Sequence, residues 1–349
     1  MSENRFVDYA QHGGCSMKLA PKRLQGLLDG LGGSSSERGG WPDAVVSEVG
    51  GQNVASSVDV VLPMIDDPAL FGRIVVNHVL SDIYAAGATP VFALSILGIP
   101  KPGKEVVDEE AFNREIDAEV QRMLLAANEA LREAGVVSAG GHTLMDHALF
   151  FGMAATGTVT DGRAVSNAAA EPGDVLVLTK PVGTSVATKL WKVAPESKGD
   201  FGDVVEAMLR SNRTPSELMR ILSRCACTDV TGFGLCGHLH NMLRASGTAA
   251  RLEVAEIPIF PSVSSHRYET DTSTRLLEAN EEFLQGHLRG STGEVDLPLL
   301  LDAQVSGGLL ISIPPGEADH FQAELRQHGE ESWVIGEVTT GPAGTITLG

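Results

Sequence analysis

Residues 109–134 carry a long helical periodicity. Phe112, Ile116, Val120, Met123, Leu124, Ala127 and Leu131 recur at steps of three and four, which lays them on one stripe of an amphipathic α-helix. Such a stripe requires an apolar layer to cover it. Valine-rich segments at residues 44–46, 54–62, 90–97 and 149–159 read as strands that can build one. Between them, Asp67-Pro68 marks a helix start, with an N-cap aspartate and proline at the first helical position. Phe71, Ile74, Val75, Val79 and Ile83 continue that helix, which ends before Gly87. Residues 136–139 read as a short strand running into a Gly140-Gly141-His142-Thr143 turn. Residues 43–160 are expected to form one α/β domain.

A second α/β domain is expected over residues 161–349. Pro172-Gly173-Asp174 is a turn ahead of the strand at 175–178, and helices are expected near 183–194 and 201–211. Thr214-Pro215-Ser216-Glu217 reads as a capping box. A helix after Gly234, strands near 250–254, 308–313 and 331–337, and a helix near 316–327 complete this half. Residues 264–298 read as a polar, irregular surface excursion, and 30–42 as a flexible glycine- and serine-rich linker. A chain of 349 residues is long for one core, so two domains are the prior.

The net charge of −19 argues against nonspecific nucleic-acid binding, which relies on lysine and arginine meeting phosphates. It is compatible with a nucleotide held through Mg²⁺ and carboxylates. The chain opens without an apolar leader and has no membrane-spanning run. Its four cysteines, Cys15, Cys225, Cys227 and Cys236, are expected to stay reduced in a cytoplasmic setting. Cys225-Ala226-Cys227 lacks a second pair and reads as structural.

Four aspartates stand out. Asp59 interrupts the apolar run Val58-Asp59-Val60-Val61-Leu62, where a buried charge must be paired or bound to a cation. Asp82 follows Asn77-His78-Val79-Leu80-Ser81 on a helix, Asp43 opens a strand, and Asp229 precedes the Val230-Thr231-Gly232-Phe233-Gly234 turn. Dispersed carboxylates suit Mg²⁺ bound with phosphate oxygens; singly, each also suits a strand end or a cap. His78 and Asp82 share a helix face and read as a surface hydrogen-bonded pair. His238 and His240 are two apart and point differently, which disfavours zinc. Gly232 to Gly237 spells G-x-G-x-x-G, but residues 218–225 read as a helix where that fingerprint needs a strand. Gly140 to Thr143 is the better phosphate nest. At the start of the chain, His12-Gly13-Gly14-Cys15-Ser16-Met17-Lys18 places a cysteine in a glycine hinge near a lysine, an arrangement that favours thiolate. Taken alone, that heptad reads first as a frayed terminus with an incidental cysteine.

Together these blocks resemble the selenophosphate synthetase (selenide, water dikinase) family. The resemblance runs through Gly14-Cys15 to Lys18, Asp43 to Val46, Pro63 to Pro68, Phe71 to Ile74, Leu80 to Ala85, Ala139 to Thr143, Leu178 to Gly183, Thr228 to Leu235 and Gln304 to Leu310. It implies an α/β, two-domain aminoimidazole-ribonucleotide-synthetase-like fold. The N-terminal domain would bind ATP and help build a dimer barrel, and the C-terminal domain would be an α/β sandwich. Residues 1–42 would be a catalytic loop and linker. The implied reaction is ATP + selenide + water to selenophosphate + AMP + phosphate, which supplies activated selenium for selenocysteine or selenouridine. The implied cofactor is Mg²⁺, with K⁺ as a further candidate and ATP as substrate. The implied assembly is a homodimer. Carried over position by position, Cys15 corresponds to the catalytic cysteine or selenocysteine and Lys18 to the lysine that meets the phosphates. Asp43, Asp82 and Asp229 correspond to Mg²⁺ ligands, Asp59 and Asp82 to nucleotide-site aspartates, and Gly141, His142 and Thr143 to a nucleotide-contacting turn.

The chain departs from the family pattern at Met17, where a second cysteine is often found, and at Pro42-Asp43, where paired aspartates are common. Residues 144–148 lack the usual acidic, proline-containing pattern. The rival readings are a related ATP-using enzyme of the same fold and a catalytically silent nucleotide-binding paralogue. The Cys15–Lys18 loop disfavours aminoimidazole ribonucleotide synthetase and thiamine-monophosphate kinase. An ending without cysteine disfavours a hydrogenase-maturation dehydratase. The intact Cys15, Lys18 and aspartates disfavour a silent paralogue.

Overall fold

The computed structural model describes residues 5–10, 13–14, 18–28, 42–103, 106–159, 163–193, 201–264, 274–293 and 295–349. The first half contains α1 (Pro21–Leu28), β1 (Val45–Val49), β2 (Gln52–Val61), α2 (Pro68–Ala85), β3 (Thr89–Pro100), α3 (Glu109–Glu133), β4 (Val137–Asp146) and β5 (Phe150–Thr158). The second half contains β6 (Val175–Leu178), α4 (Thr184–Val193), α5 (Gly202–Leu209), α6 (Arg213–Leu218), β7 (Ala226–Asp229), α7 (Gly234–Ser246), β8 (Ala249–Leu252) and α8 (Pro261–Ser264). It continues with α9 (Leu276–Leu284), β9 (Leu288–Gly290), α10 (Leu297–Leu301), β10 (Leu309–Ile313), α11 (Pro315–Gln327), β11 (Trp333–Thr339) and β12 (Ile346–Leu348). The expected linker at 30–42 and Cys15 lie largely or wholly outside the described residues.

The first sheet runs β1-β2-β5-β3-β4, antiparallel except for the parallel β3–β4 pair. One face is covered by helices. Along β2, Ala55, Asp59 and Val61 are buried on that face, while Ser56, Val58 and Val60 are exposed on the other. α3 packs Ile116, Val120, Met123, Ala127 and Leu131 inward, and Leu124 stays at the edge of the stripe, partly exposed. Asp108 caps α3 through the amide of Ala111 at 2.8 Å.

α2 is apolar around most of its circumference, the pattern of a helix buried on every side. It is wedged between the first sheet, α3, and the α5, α6 and β7 elements of the second half. Asp67 caps it as expected, accepting from the amides of Ala69 and Leu70 at 2.8 and 3.3 Å. Gly72 marks the crossing with α3. A Cβ there would lie inside the envelope of the Met123 carbonyl oxygen.

The second sheet runs β7-β10-β6-β11-β8-β12-β9. Its central strands are apolar at successive positions because both faces are covered. Leu176 and Leu178 of β6 meet the core with Leu239 and Leu243 of α7, while Val177 meets Phe321 and Leu325 of α11.

Four sequence expectations change. Residues 137–146 form one continuous edge strand, so Gly140 to Thr143 is strand and not turn; Gly140 takes φ +110° at a register shift against β3. The stretch 264–298 contributes α9, β9 and the start of α10, and buries Leu276, Phe283 and Leu284; Glu278, Glu281 and Glu282 form the outer face of the amphipathic α9. The α6 helix starts at Arg213, with Asn212 and not Thr214 at its cap position. Asn212 instead spends its amide on Ser81 Oγ and the Gly307 carbonyl, at 2.8 and 2.9 Å. Finally, β7 does precede Gly232. The objection to a dinucleotide fingerprint there fails as first stated, although the strand after α7 lies four places from β7 in the sheet and not beside it.

Gly72→Ala should lower the urea unfolding midpoint, by about 1–3 kcal/mol of overpacking strain. An unchanged midpoint would contradict the close α2–α3 crossing.

Candidate active site

The four aspartates converge at the seam between the two sheets. Asp59 comes from β2, Asp82 from the last turn of α2, Asp43 from just before β1 and Asp229 from the end of β7. Each reaches its place for a local reason. Asp59 follows the alternation of β2 onto the covered face. Asp82 lies on the side of α2 that meets β2, where Ser57 Oγ donates to its carboxylate. Asp229 lies opposite Leu309 of β10 at the mouth of the second sheet. Thr228 Oγ1 donates to Asp43 Oδ1 at 2.9 Å.

Asp59 is the paired member. Its Oδ1 is 2.9 Å from Lys18 Nζ, and its Oδ2 is 3.3 Å from His78 Nε2. Burial pushes its pKa up, but Lys18 and His78 outweigh burial and hold it below the usual carboxylate range. The other three go the opposite way. Burial, reinforced by neighbouring carboxylates, raises Asp43 and Asp82 well above the ordinary value; burial leads the rise at Asp229, with Asp59 adding to it. Asp43 keeps partial solvent access yet is densely surrounded, so desolvation still dominates there.

Both carboxylate oxygens of Asp229 are buried without a hydrogen-bond partner among the described residues. The Ser81 hydroxyl is near enough to favour its ionised form but does not meet hydrogen-bond geometry. Unpaired buried carboxylate oxygens are costly and are the natural ligands of a hard divalent cation. Possible ligand atoms of Asp43, Asp229 and His238 lie within 4.8 Å of one another. The donors present therefore fit Mg²⁺.

Lys18 reaches Asp59 across Gly232, where a Cβ would come within 2.8 Å of Lys18 Cδ. Gly14 lies at the same end of β2. It forms an antiparallel bridge with Leu62, at 3.0 and 3.3 Å, and has φ +63°. A Cβ on Gly14 would approach Val305 Cγ2 at 2.8 Å. The residues flanking 15–17 are thus both held at the seam, and Cys15 itself falls outside the described residues.

His78 is fully buried, which corrects the expectation of a surface pair with Asp82. Its Nδ1 accepts from the Ser306 amide at 3.1 Å, leaving Nε2 to face Asp59. Ser306 has φ +50°, uncommon for a residue with a side chain. Three bonds hold it there: its amide to His78, its hydroxyl to the Met208 carbonyl at 2.8 Å, and Lys180 Nζ to its carbonyl at 3.0 Å. Burial lowers the Lys180 pKa to about 7.

Gly141, His142 and Thr143 are not brought to this cluster. Asp59 pairs with Met153, Met153 with Ser95 and Ser95 with Gly141. Three strand spacings, roughly 14 Å, separate the ends of that row. His142 falls in the next row with Ile96, Gly152 and Val60, on the open face.

His238 is the residue that sequence reasoning passed over. It was weighed only with His240, which does point elsewhere, to the Gly344 carbonyl at 2.8 Å. The available signal was its place one turn into a helix that follows Asp229-Val230-Thr231-Gly232.

Residues 41–159 match the family model for the AIR synthase related protein N-terminal domain, and residues 171–349 match that for the C-terminal domain. The chain is 35% identical to a selenide, water dikinase of Photorhabdus laumondii, covering 99% of this chain and 98% of that one. It is 34% identical to one of Yersinia pseudotuberculosis, at 96% and 95% coverage. Among solved structures, thiamine-monophosphate kinase from Stenotrophomonas maltophilia superposes with TM-score 0.64 at 15% identity, covering 93% of each chain. Hydrogenase maturation protein HypE in complex with ATP superposes with TM-score 0.63 at 21% identity, covering 99% and 94%. These two share the fold.

The raised carboxylates make a signed prediction. A group whose folded pKa lies above its unfolded value weakens the fold at neutral pH, and the penalty fades as pH falls towards about 4. Asp59 behaves oppositely, contributing above that value and losing its contribution at lower pH. In the presence of chelator, Asp229→Asn should therefore melt at a higher temperature than wild type at pH 7, with the gap narrowing towards pH 4. A variant that melts lower at pH 7 would contradict the crowding.

Proposed function

We propose roles for the site residues from one premise: the chain belongs to the selenide, water dikinase family of AIR synthase related proteins. Its activity is that of a selenophosphate synthetase, a phosphotransferase converting ATP, selenide and water to selenophosphate, AMP and phosphate. The observation that carries the residue assignment is the split among four seam carboxylates: one is salt-bridged to Lys18 and lowered, and three are raised, with Asp229 unpartnered among the described residues.

Asp43, Asp82 and Asp229 would hold Mg²⁺. Bound there, it would neutralise phosphate charge and fix the nucleotide's phosphate chain. Lys18 supplies positive charge at the phosphates, and Asp59, oriented by His78, holds that ammonium in place before substrate arrives. Selenide attacks the γ-phosphorus, forming the P–Se bond and breaking the bond to the β-phosphate oxygen. Water then attacks the β-phosphorus of the retained ADP, giving AMP and phosphate. Cys15 lies on the arm between Gly14 and Lys18 and would handle the selenium species. The arm's closure would keep bulk water from the first step.

The open face of the first sheet supports a homodimer. Val58, Val60, Phe92, Leu94, Val137 and Leu144 are exposed on it, and clustered exposed apolar side chains mark an interaction surface. Gly141, His142 and Thr143 belong to the edge strand beside this patch and are assigned to the dimer region, not to the carboxylate cluster. No helix among the described residues is long and apolar enough to cross a membrane. The buried free thiols of Cys225, Cys227 and Cys236 suit a reducing cytoplasm. The domain divisions are placed at residues 42 and 160, a reading supported by the presence of two separate sheets.

Anaerobic phosphorus NMR with Mg-ATP, with K⁺ varied, should show selenide-dependent AMP and a selenophosphate signal. ADP as the final product would overturn the reaction. Lys18→Ala should cut turnover by about 100-fold or more; a wild-type rate would sink the arm assignment. Sedimentation should report a dimer that Val58→Asp with Val60→Asp converts to monomer, and an unchanged dimer would place the interface elsewhere.

A further inference from the structure

We infer that His238 and Thr228 form a fixed hydrogen-bond relay that sets the orientation of the Asp43 carboxylate, and that His238 is a positioning residue and not a cation ligand. The assignment of Asp43 as a cation-facing carboxylate is the premise here.

The direction of the relay follows from one donor that has no choice. The Phe233 backbone N–H can only donate, and it meets His238 Nε2 at 3.4 Å. The Thr231 hydroxyl lies 3.2 Å from the same nitrogen. A ring nitrogen that accepts carries no proton, so in neutral imidazole the proton is on Nδ1. Nδ1 is 3.3 Å from Thr228 Oγ1 and donates to it. The threonine hydrogen is then committed outward. It has two acceptors within reach, Asp43 Oδ1 at 2.9 Å and the Asp229 carbonyl at 3.3 Å. The Asp43 carboxyl oxygen takes it, being the closer of the two.

His238, Asp43 and Asp229 also satisfy the spacing of a three-ligand cation site. Direct ligation requires a free lone pair on the imidazole. On this geometry Nε2 has spent its lone pair on Phe233 and Thr231, and Nδ1 bears the proton. A hard cation such as Mg²⁺ also prefers oxygen donors. The histidine therefore acts through Thr228, whose bond to Oδ1 stops the carboxylate from rotating. Groups that orient ligands in this way are typically worth 10–100-fold in metal affinity.

The test has three arms. In metal-free wild type, ¹⁵N NMR of labelled histidine, assigned with His238→Asn, should show His238 neutral with Nδ1 protonated. The Nε2-protonated form would overturn the relay. Mn²⁺ binding followed by electron paramagnetic resonance should weaken about 10-fold or more in Thr228→Val and stay within about threefold of wild type in Thr228→Ser. Equal affinity in Thr228→Val would overturn the positioning role, and the NMR arm decides the relay should that variant fail to fold. Electron spin echo modulation of bound Mn²⁺ should show no directly coordinated nitrogen. A nitrogen coupling lost in His238→Asn would make the histidine a ligand and overturn the inference. Wild type that binds no Mn²⁺ would instead overturn the cation-facing role of Asp43, whichever tautomer His238 shows.

Discussion

The ion pair between Lys18 and Asp59 is the contact on which the site depends. A carboxylate in the middle of an apolar strand has to be compensated where it is buried. The compensation comes from two distant parts of the chain, the N-terminal arm through Lys18 and helix α2 through His78. Without that pairing, Asp59 would join Asp43, Asp82 and Asp229 as a fourth raised carboxylate, and the seam would hold only mutually repelling acids. With it, Lys18 is held at the seam, where its proposed role requires it.

The same histidine ties the two sheets together. His78 sits on α2 of the first half, and its other ring nitrogen accepts from Ser306, which turns the chain into β10 of the second. Ser306 is held at positive φ by bonds from its amide, hydroxyl and carbonyl. Lys180 contributes one of these bonds while remaining buried. The polar atoms that fix the seam are thus largely backbone groups bound by buried side chains. Such bonds are strong in a dry setting and costly to leave unmade.

The elements were legible in the sequence wherever periodicity had a single solution. The α3 stripe, the Asp67 cap and the valine-rich strands all formed where expected. Reading failed where glycine was taken as punctuation. Gly140-Gly141 looked like a turn, yet Gly141 is the residue that lets β4 lie against Ser95, whose carbonyl a Cβ would strike. Reading also failed where helices were short: Glu278, Glu281 and Glu282 break up the apolar stripe of α9, and the five residues of α10 are too few to show a helical period. The aspartates of the site could be picked out because a charge in an apolar context is conspicuous. His78 could not, because nothing local distinguishes a histidine facing solvent from one facing Asp59. That distinction is made by β2 and Ser306, which approach α2 from opposite directions in the sequence.

The crowding at the seam bears on the order of events. A nucleotide's phosphate chain would bring further negative charge to a place that already holds four carboxylic acids, with Lys18 committed to one of them. At 4 Å and an effective dielectric near 20, two like unit charges repel by about 4 kcal/mol. A single ammonium, already committed to Asp59, cannot offset that for several carboxylates at once. On the proposed assignment, cations would enter before the phosphates or together with them, and Lys18 would turn to the phosphates only once that charge is compensated. On that assignment the acidity of the site would act as a selection device, penalising the bare nucleotide and admitting the one that arrives already neutralised.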